Sequence, residues 1–93
     1  MVNTLLNEQD IKFILRDFIT DNFLPSAGLE SFADGDSFME TGIIDSTGVL
    51  ELLEFIEDSF HIQVEDEEVI PANLDSLIKL AAFIQRKKSD AGP

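Results

Sequence analysis

The stretch Gly42-Ile43-Ile44-Asp45-Ser46-Thr47-Gly48-Val49-Leu50-Glu51-Leu52-Leu53-Glu54-Phe55-Ile56-Glu57 decides how the chain reads. Val49, Leu52, Leu53, Ile56 and then Phe60 recur at intervals of three and four, the stripe of a helix that buries one face. Glu51, Glu54, Glu57 and Asp58 fall largely outside that stripe. Leu50 lies off its centre, an exposed apolar spot beside the acids. Asp45 or Ser46 stands where a helix cap belongs, because a short oxygen-bearing side chain there accepts from the free N–H groups of the first turn.

Upstream, residues 24–44 hold Pro25, Gly28, Gly35 and Gly42 and no long periodic pattern. Loops of this length are uncommon in compact domains and often functional. Leu29, Phe32, Phe38, Met39 and Ile43 or Ile44 are expected to pin it to the body, with a short helical turn near 29–32. Ahead of it, Ile11, Ile14, Leu15, Phe18 and Ile19 predict a first helix over about 8–20. Asn7 is its N-cap, with Asp10 three residues on in a capping box, and Phe23-Leu24-Pro25 ends it.

Downstream, residues 61–64 read as extended. Residues 65–70 suit a short third helix that Pro71 stops. A last helix follows, capped by Asn73 or Asp75, with Leu74, Leu77, Ile78, Ala81 and Ile84 on its apolar face. Arg86, Lys87 and Lys88 sit at its negative end. The expected fold is all-α: three long helices, a short third helix and a long loop between the first two. One domain spans 1–93, with loose ends at 1–6 and 89–93.

Composition narrows the function. A hydrophobic fraction of 44% over 93 residues supports one modest core, and most of the eight phenylalanines read as part of it. The absence of cysteine excludes disulfides, thiolate metal sites and cysteine nucleophiles and suits a reducing compartment. The first residues lack the basic and apolar regions of a signal peptide, and no apolar run reaches the roughly 20 residues of a membrane span. A cytoplasmic protein without membrane insertion is the expectation. The formal net charge is −13, and no Lys or Arg lies between Arg16 and Lys79, an interval that holds every acid except Glu8, Asp10 and Asp90. Such a surface repels nucleic acid and anionic lipid and favours a basic protein partner.

A serine at the start of a helix has two chemical uses. Its hydroxyl can cap free N–H groups. It can also carry a phosphoryl group, which the unpaired donors and the positive dipole end of the helix stabilise. The residues alone leave both open for Ser46.

From Gly42 to Ile56 the chain resembles the modification site of acyl carrier proteins and related carrier domains, through Asp45-Ser46 followed by Val49, Leu50, Glu51, Leu52, Leu53, Ile56 and Glu57. The resemblance extends over about 9–85 and implies a four-helix bundle of acyl-carrier type. It implies covalent 4′-phosphopantetheine on Ser46, taken from coenzyme A by a phosphopantetheinyl transferase, with Asp45 in support. The chain would then be a monomeric, non-catalytic carrier. It would hold an activated acyl or aminoacyl group as a thioester and pass it between enzymes of fatty acid, polyketide, nonribosomal peptide or related biosynthesis. Leu50, Glu51, Glu54, Glu57 and Asp58 would dock basic patches on the loading enzyme and on downstream acyltransferases or synthases. Thr47 stands where fatty-acid-synthesis members usually carry Leu, and Gly42-Ile43-Ile44 departs from their Gly-Ala type. Gly-Ile-Ile-Asp-Ser is more similar to stand-alone carriers of aminoacyl or specialised acyl groups, D-alanyl carriers included.

Competing readings are weaker. Asp75-Ser76-Leu77 matches the family tripeptide letter for letter, but only one helix follows it, so Ser76 reads as a capping residue of that helix. Asp34, Asp36 and Glu40 hint at a calcium loop, yet Met39 occupies the position where an EF-hand needs Gly. His61, the only histidine, has no partner for zinc, and a triad of Ser46 with His61 lacks a nucleophile-elbow pattern. No metal site is expected. The rival from another class is a small acidic helical interaction module that binds a basic partner without a cofactor.

Overall fold

A computed structural model describes residues 7–91, and no strand occurs among the described residues. Along the chain come α1 (Glu8–Asn22), α2 (Leu24–Ala27), α3 (Phe38–Thr41), α4 (Ser46–Phe60), a 3-10 turn (Asp66–Glu68), α5 (Pro71–Leu74) and α6 (Leu77–Ala91). The Asn7 side chain accepts from the N–H of Asp10 at 2.8 Å, and the Asp10 carboxylate accepts from the N–H of Asn7 at 3.4 Å, the capping box read from the sequence. One stripe of α1, Ile11, Leu15 and Ile19, is fully buried and packs chiefly along α6, whose Leu77, Leu80, Ala81 and Ile84 are also fully buried. Leu52, Ile56 and Phe60 bring α4 onto the same core. Each such side chain contributes roughly 1.5–3 kcal/mol by leaving water. Phe18 of α1 stacks on Phe55 of α4 with ring centroids 3.8 Å apart and meets Phe23 edge-on at 5.7 Å.

Two polar clasps hold the long connection from α2 to α4. At one end, Arg16 donates to the Phe32 carbonyl at 2.7 Å and to the Asp34 carboxylate, while its guanidinium lies 4.4 Å from the centre of the Phe32 ring. Lys12 reaches Asp34 at 3.4 Å, and the N–H of Ile78 donates to the Asp34 carbonyl at 3.1 Å. At the other end, the Asp75 carboxylate accepts from the Ser37 hydroxyl and, at 3.0 Å, from the N–H of Met39. The N–H of Phe38 donates to the Asp75 carbonyl, also at 3.0 Å.

Several expectations from the sequence need correction. The first helix runs on to Asn22, and Pro25 then sits in the first turn of α2, where a missing N–H costs nothing. No helical turn forms near 29–32. It forms instead at α3, because the Ser37 hydroxyl caps the N–H of Glu40 at 3.1 Å. Leu29 and Met39 are exposed rather than pinning the loop, a task left to Phe32, Phe38, Ile43 and Ile44. Residues 65–70 make only a 3-10 turn, and Pro71 opens α5 instead of stopping a helix. Neither Asn73 nor Asp75 caps α6, whereas Ser76 does, as its reading as a capping residue expected: its hydroxyl accepts from the N–H of Lys79 at 3.1 Å. Ile78 faces solvent, and Phe83 is buried in the core. The helix continues through residue 89 to Ala91, where fraying was expected. The loose ends expected at 1–6 and 92–93 lie outside the described residues. Among those described, no helix is long and apolar enough to cross a membrane.

Candidate functional site

The approach to Ser46 is built by a short sequence of backbone demands. Gly42 closes α3 with φ +80°, the left-handed region that a residue without a Cβ enters freely. Ile43 and Ile44 then turn inward and are buried, and the N–H of Ile44 donates to the Phe38 carbonyl at 3.2 Å. Asp45 returns to extended backbone and caps α4: its Oδ1 accepts from the N–H of Gly48 at 2.7 Å. Ser46 follows as the first residue of the 15-residue helix, exposed, with capping already done by its neighbour. The ambiguity between Asp45 and Ser46 as cap is thereby resolved in favour of Asp45.

Ser46 stands on the lip of a cavity of about 550 Å³. Phe38, Ile44, Val49, Leu52, Leu53 and Leu74 form its walls. Met39, Leu50, Val69 and Ile70 also line it and are exposed, so the entrance is an apolar rim, with Leu50 the most exposed at 67%. Among the described residues, Asp66 and Asp75 are its only acidic lining groups, and the Asp75 carboxylate is held by Ser37 and Met39. The wall supplied by the 3-10 turn and α5 is itself clamped to α6. Lys87 donates to both Glu68 carboxylate oxygens at 2.8 and 3.1 Å, and Arg86 donates to Asn73 Oδ1 at 3.0 Å. This wall escaped the sequence reading. Its only signal was the apolar run Val69-Ile70-Pro71 after four acids, which looked like the end of a helix.

The remaining acids and polar candidates fall in different places. Leu50 points to the cavity side of α4. Glu51, Glu54 and Asp58 line a separate furrow between α4 and α1, beside Phe18, Asn22 and Phe55. Glu57 is half-buried, and its carboxylate accepts from the N–H of Val64 at 2.8 Å, tying down the segment that leaves α4. His61 terminates α4 in the left-handed region, φ +59°, and Lys88 covers the adjacent Phe60 carbonyl at 2.8 Å. Ser46 and His61 therefore sit at opposite ends of a 15-residue helix, roughly 22 Å apart at the usual rise, too far to act as a nucleophile–base pair. Ser76 is 4% exposed, and its hydroxyl is committed to the α6 cap. Asp34 is engaged by Arg16 and Lys12, and no group of three or more acids or histidines among the described residues could hold a metal ion. Partial burial pushes the Asp34 carboxyl up, but the hydrogen bonds and positive charges of Arg16 and Lys12 outweigh it and hold the group below its usual value. Glu68 is also lowered, first by the backbone N–H of Glu65 and then by Lys87.

No family model matches the chain, and no curated protein matches it.

Proposed function

We propose that this chain is a non-catalytic carrier protein that takes 4′-phosphopantetheine on Ser46. The observation that carries this reading is an exposed serine at the first position of a long helix, relieved of capping by Asp45 and placed on the lip of an apolar cavity. In the modification, the Ser46 hydroxyl oxygen bonds to the β-phosphorus of coenzyme A. The phosphoanhydride bond breaks, 3′,5′-adenosine bisphosphate leaves and the hydroxyl proton passes to the transferase. When bound, the group supplies a terminal thiol that holds an acyl or aminoacyl cargo as a thioester.

The residues present fit that attachment. Ser46 offers an accessible oxygen, and the helix start behind it favours negative charge. Asp45 fixes the first turn so that the hydroxyl is held at one place. Met39, Leu50, Val69 and Ile70 would shield an apolar cargo next to the attachment point, and Leu50 would meet the apolar part of a docking enzyme. In the acyl-carrier arrangement, α1, α4 and α6 are the long helices, and the 3-10 turn with α5 takes the place of the short third helix. The protein would work as a cytoplasmic monomer, with a phosphopantetheinyl transferase, a loading enzyme and an acyltransferase or synthase as successive partners.

Incubation with coenzyme A and a broad-specificity phosphopantetheinyl transferase, followed by intact-mass measurement, tests the reading. The expected result is a gain of one phosphopantetheinyl group by the native chain and none by Ser46→Ala. No gain, or a gain that survives in Ser46→Ala, overturns it and leaves the acidic interaction module as the alternative.

A further inference from the structure

We propose that the furrow between α1 and α4 is a docking site for a basic amphipathic helix of a partner protein. Its floor is the stacked pair Phe18 and Phe55, both half-buried. Phe13 lines one end and is 75% exposed, the largest exposure among the large apolar side chains described. Asp17 and Asp21 stand along the α1 side, one turn apart, and Glu51, Glu54 and Asp58 along the α4 side, all exposed. Like charges spaced three or four residues apart repel on a helix, at a few tenths of a kcal/mol for each pair. The chain does not relieve that repulsion itself. Among the described residues, every ion pair goes to Asp34 or Glu68, and none reaches the furrow.

An aromatic floor between two acidic walls is complementary to one kind of partner: an apolar ridge flanked by Lys or Arg, as on a basic amphipathic helix laid in a groove. Arginine is favoured at the walls, since its planar head both pairs with carboxylates and stacks on exposed rings. A second copy of this chain would bring the same acids, and an anionic lipid surface would be repelled. None of these residues lines the cavity beside Ser46, so the inference stands whether or not Ser46 is modified.

The test is a titration of the isotope-labelled full chain at low ionic strength with a synthetic helical peptide. That peptide carries Leu and Phe on one face and Arg on the flanks. Amide shift changes should centre on Phe13, Phe18, Asn22 and Phe55. Affinity should fall about tenfold in Asp17→Asn/Asp21→Asn and in Asn22→Arg, which places a cation in the furrow, and less than about twofold in Leu50→Ala. All these positions are exposed, half-buried or on the cavity rim, and circular dichroism confirms that each variant is folded. The proposal is overturned by shifts centred on Ser46 and Leu50, or by equal affinity for an Arg peptide without apolar residues. Furrow shifts that grow with protein concentration alone would also overturn it, by making a second copy the occupant.

Discussion

Asp45 and Gly48 are joined by a 2.7 Å hydrogen bond, the carboxylate of the first accepting from the backbone N–H of the second. Because Asp45 caps α4, Ser46 is free of that task, and the two residues should separate cleanly on mutation. Asp45→Ala should cost about 1 kcal/mol, the usual worth of an N-cap, and lower Tm by roughly 4–8 °C for a domain of this size. Ser46→Ala should stay within about 0.5 kcal/mol of the native chain, as exposed substitutions do. Thermal melting followed by circular dichroism measures both, and a larger loss at Ser46 than at Asp45 would contradict the geometry.

Gly48 is buried in the first turn of α4, and a Cβ there would lie 3.0 Å from a Phe23 ring carbon and 3.2 Å from an Ile44 methyl. Gly48→Ala gains about 1 kcal/mol of helix propensity against roughly 1–3 kcal/mol for crowding a packed site. Phe23 is braced edge-on by Phe18, and Ile44 is buried against the cavity wall, so neither yields easily. A net loss of about 1 kcal/mol is expected in denaturant melts. A rise in stability would show that the Phe23 ring moves aside.

Much of this architecture was legible because it rests on periodicity and local capping. The stripes Ile11-Leu15-Ile19 and Leu52-Ile56-Phe60 are set by helical spacing alone, and the Asn7–Asp10 box needs no tertiary partner. The misses share a different cause. Asp75 does not cap α6, because its carboxylate is engaged with Ser37 and Met39, a contact between residues up to 38 positions apart that no local pattern reports, and the capping role read for Ser76 is the one that holds. Ile78 lost its core place to Phe83 because α1 and the long connection fix which side of α6 is covered. At the candidate site, Ser46 and exposed Leu50 were legible. The cavity they border was not, since it exists only once α5 folds back toward α4.

Acid sensitivity should report on Asp34. Its carboxyl lies below the ordinary carboxylate value in the folded chain, so it contributes stability that is complete above the unfolded pKa of about 3.9 and is lost as pH falls through the lower folded value. Lowering the pH also relieves the repulsion of a net −13 chain, which obscures the effect in the native protein alone. The difference between native and Asp34→Asn isolates it. Tm of the variant should be lower at neutral pH, and the gap should close as pH falls below the ordinary carboxylate value of about 4. Added salt should narrow the gap at neutral pH, because the Asp34 side chain is 43% exposed.

Asp75 should be the residue on which the cavity wall depends. Its carboxylate holds Ser37 and Met39, and its carbonyl holds Phe38, so α3 is fastened to the junction of α5 and α6. Asp75→Ala leaves two donors without their acceptor and should cost about 1.5–3 kcal/mol, the range for hydrogen bonds to a charged group. Hydrogen exchange should quicken at Met39 and Ile44 well before it does at Leu15 or Leu80, since only the first pair belongs to the released segment.

The acids of α4 should prove unequal. Glu57 accepts from the N–H of Val64 at 2.8 Å and is half-buried, whereas Glu54 is exposed and makes no such bond. Glu57→Ala should therefore lower stability by about 1–2 kcal/mol, and Glu54→Ala by no more than about 0.5 kcal/mol. A basic partner should rank them in the opposite order. Neutralising Glu54 should slow association and flatten its salt dependence, the behaviour of an exposed steering charge. Neutralising Glu57 should act mainly through loosening of the segment 61–64. Stopped-flow association with a basic partner, compared with melting of the same variants, separates the two roles. If Glu57→Ala matches Glu54→Ala in both measurements, the Val64 bond does not set the difference.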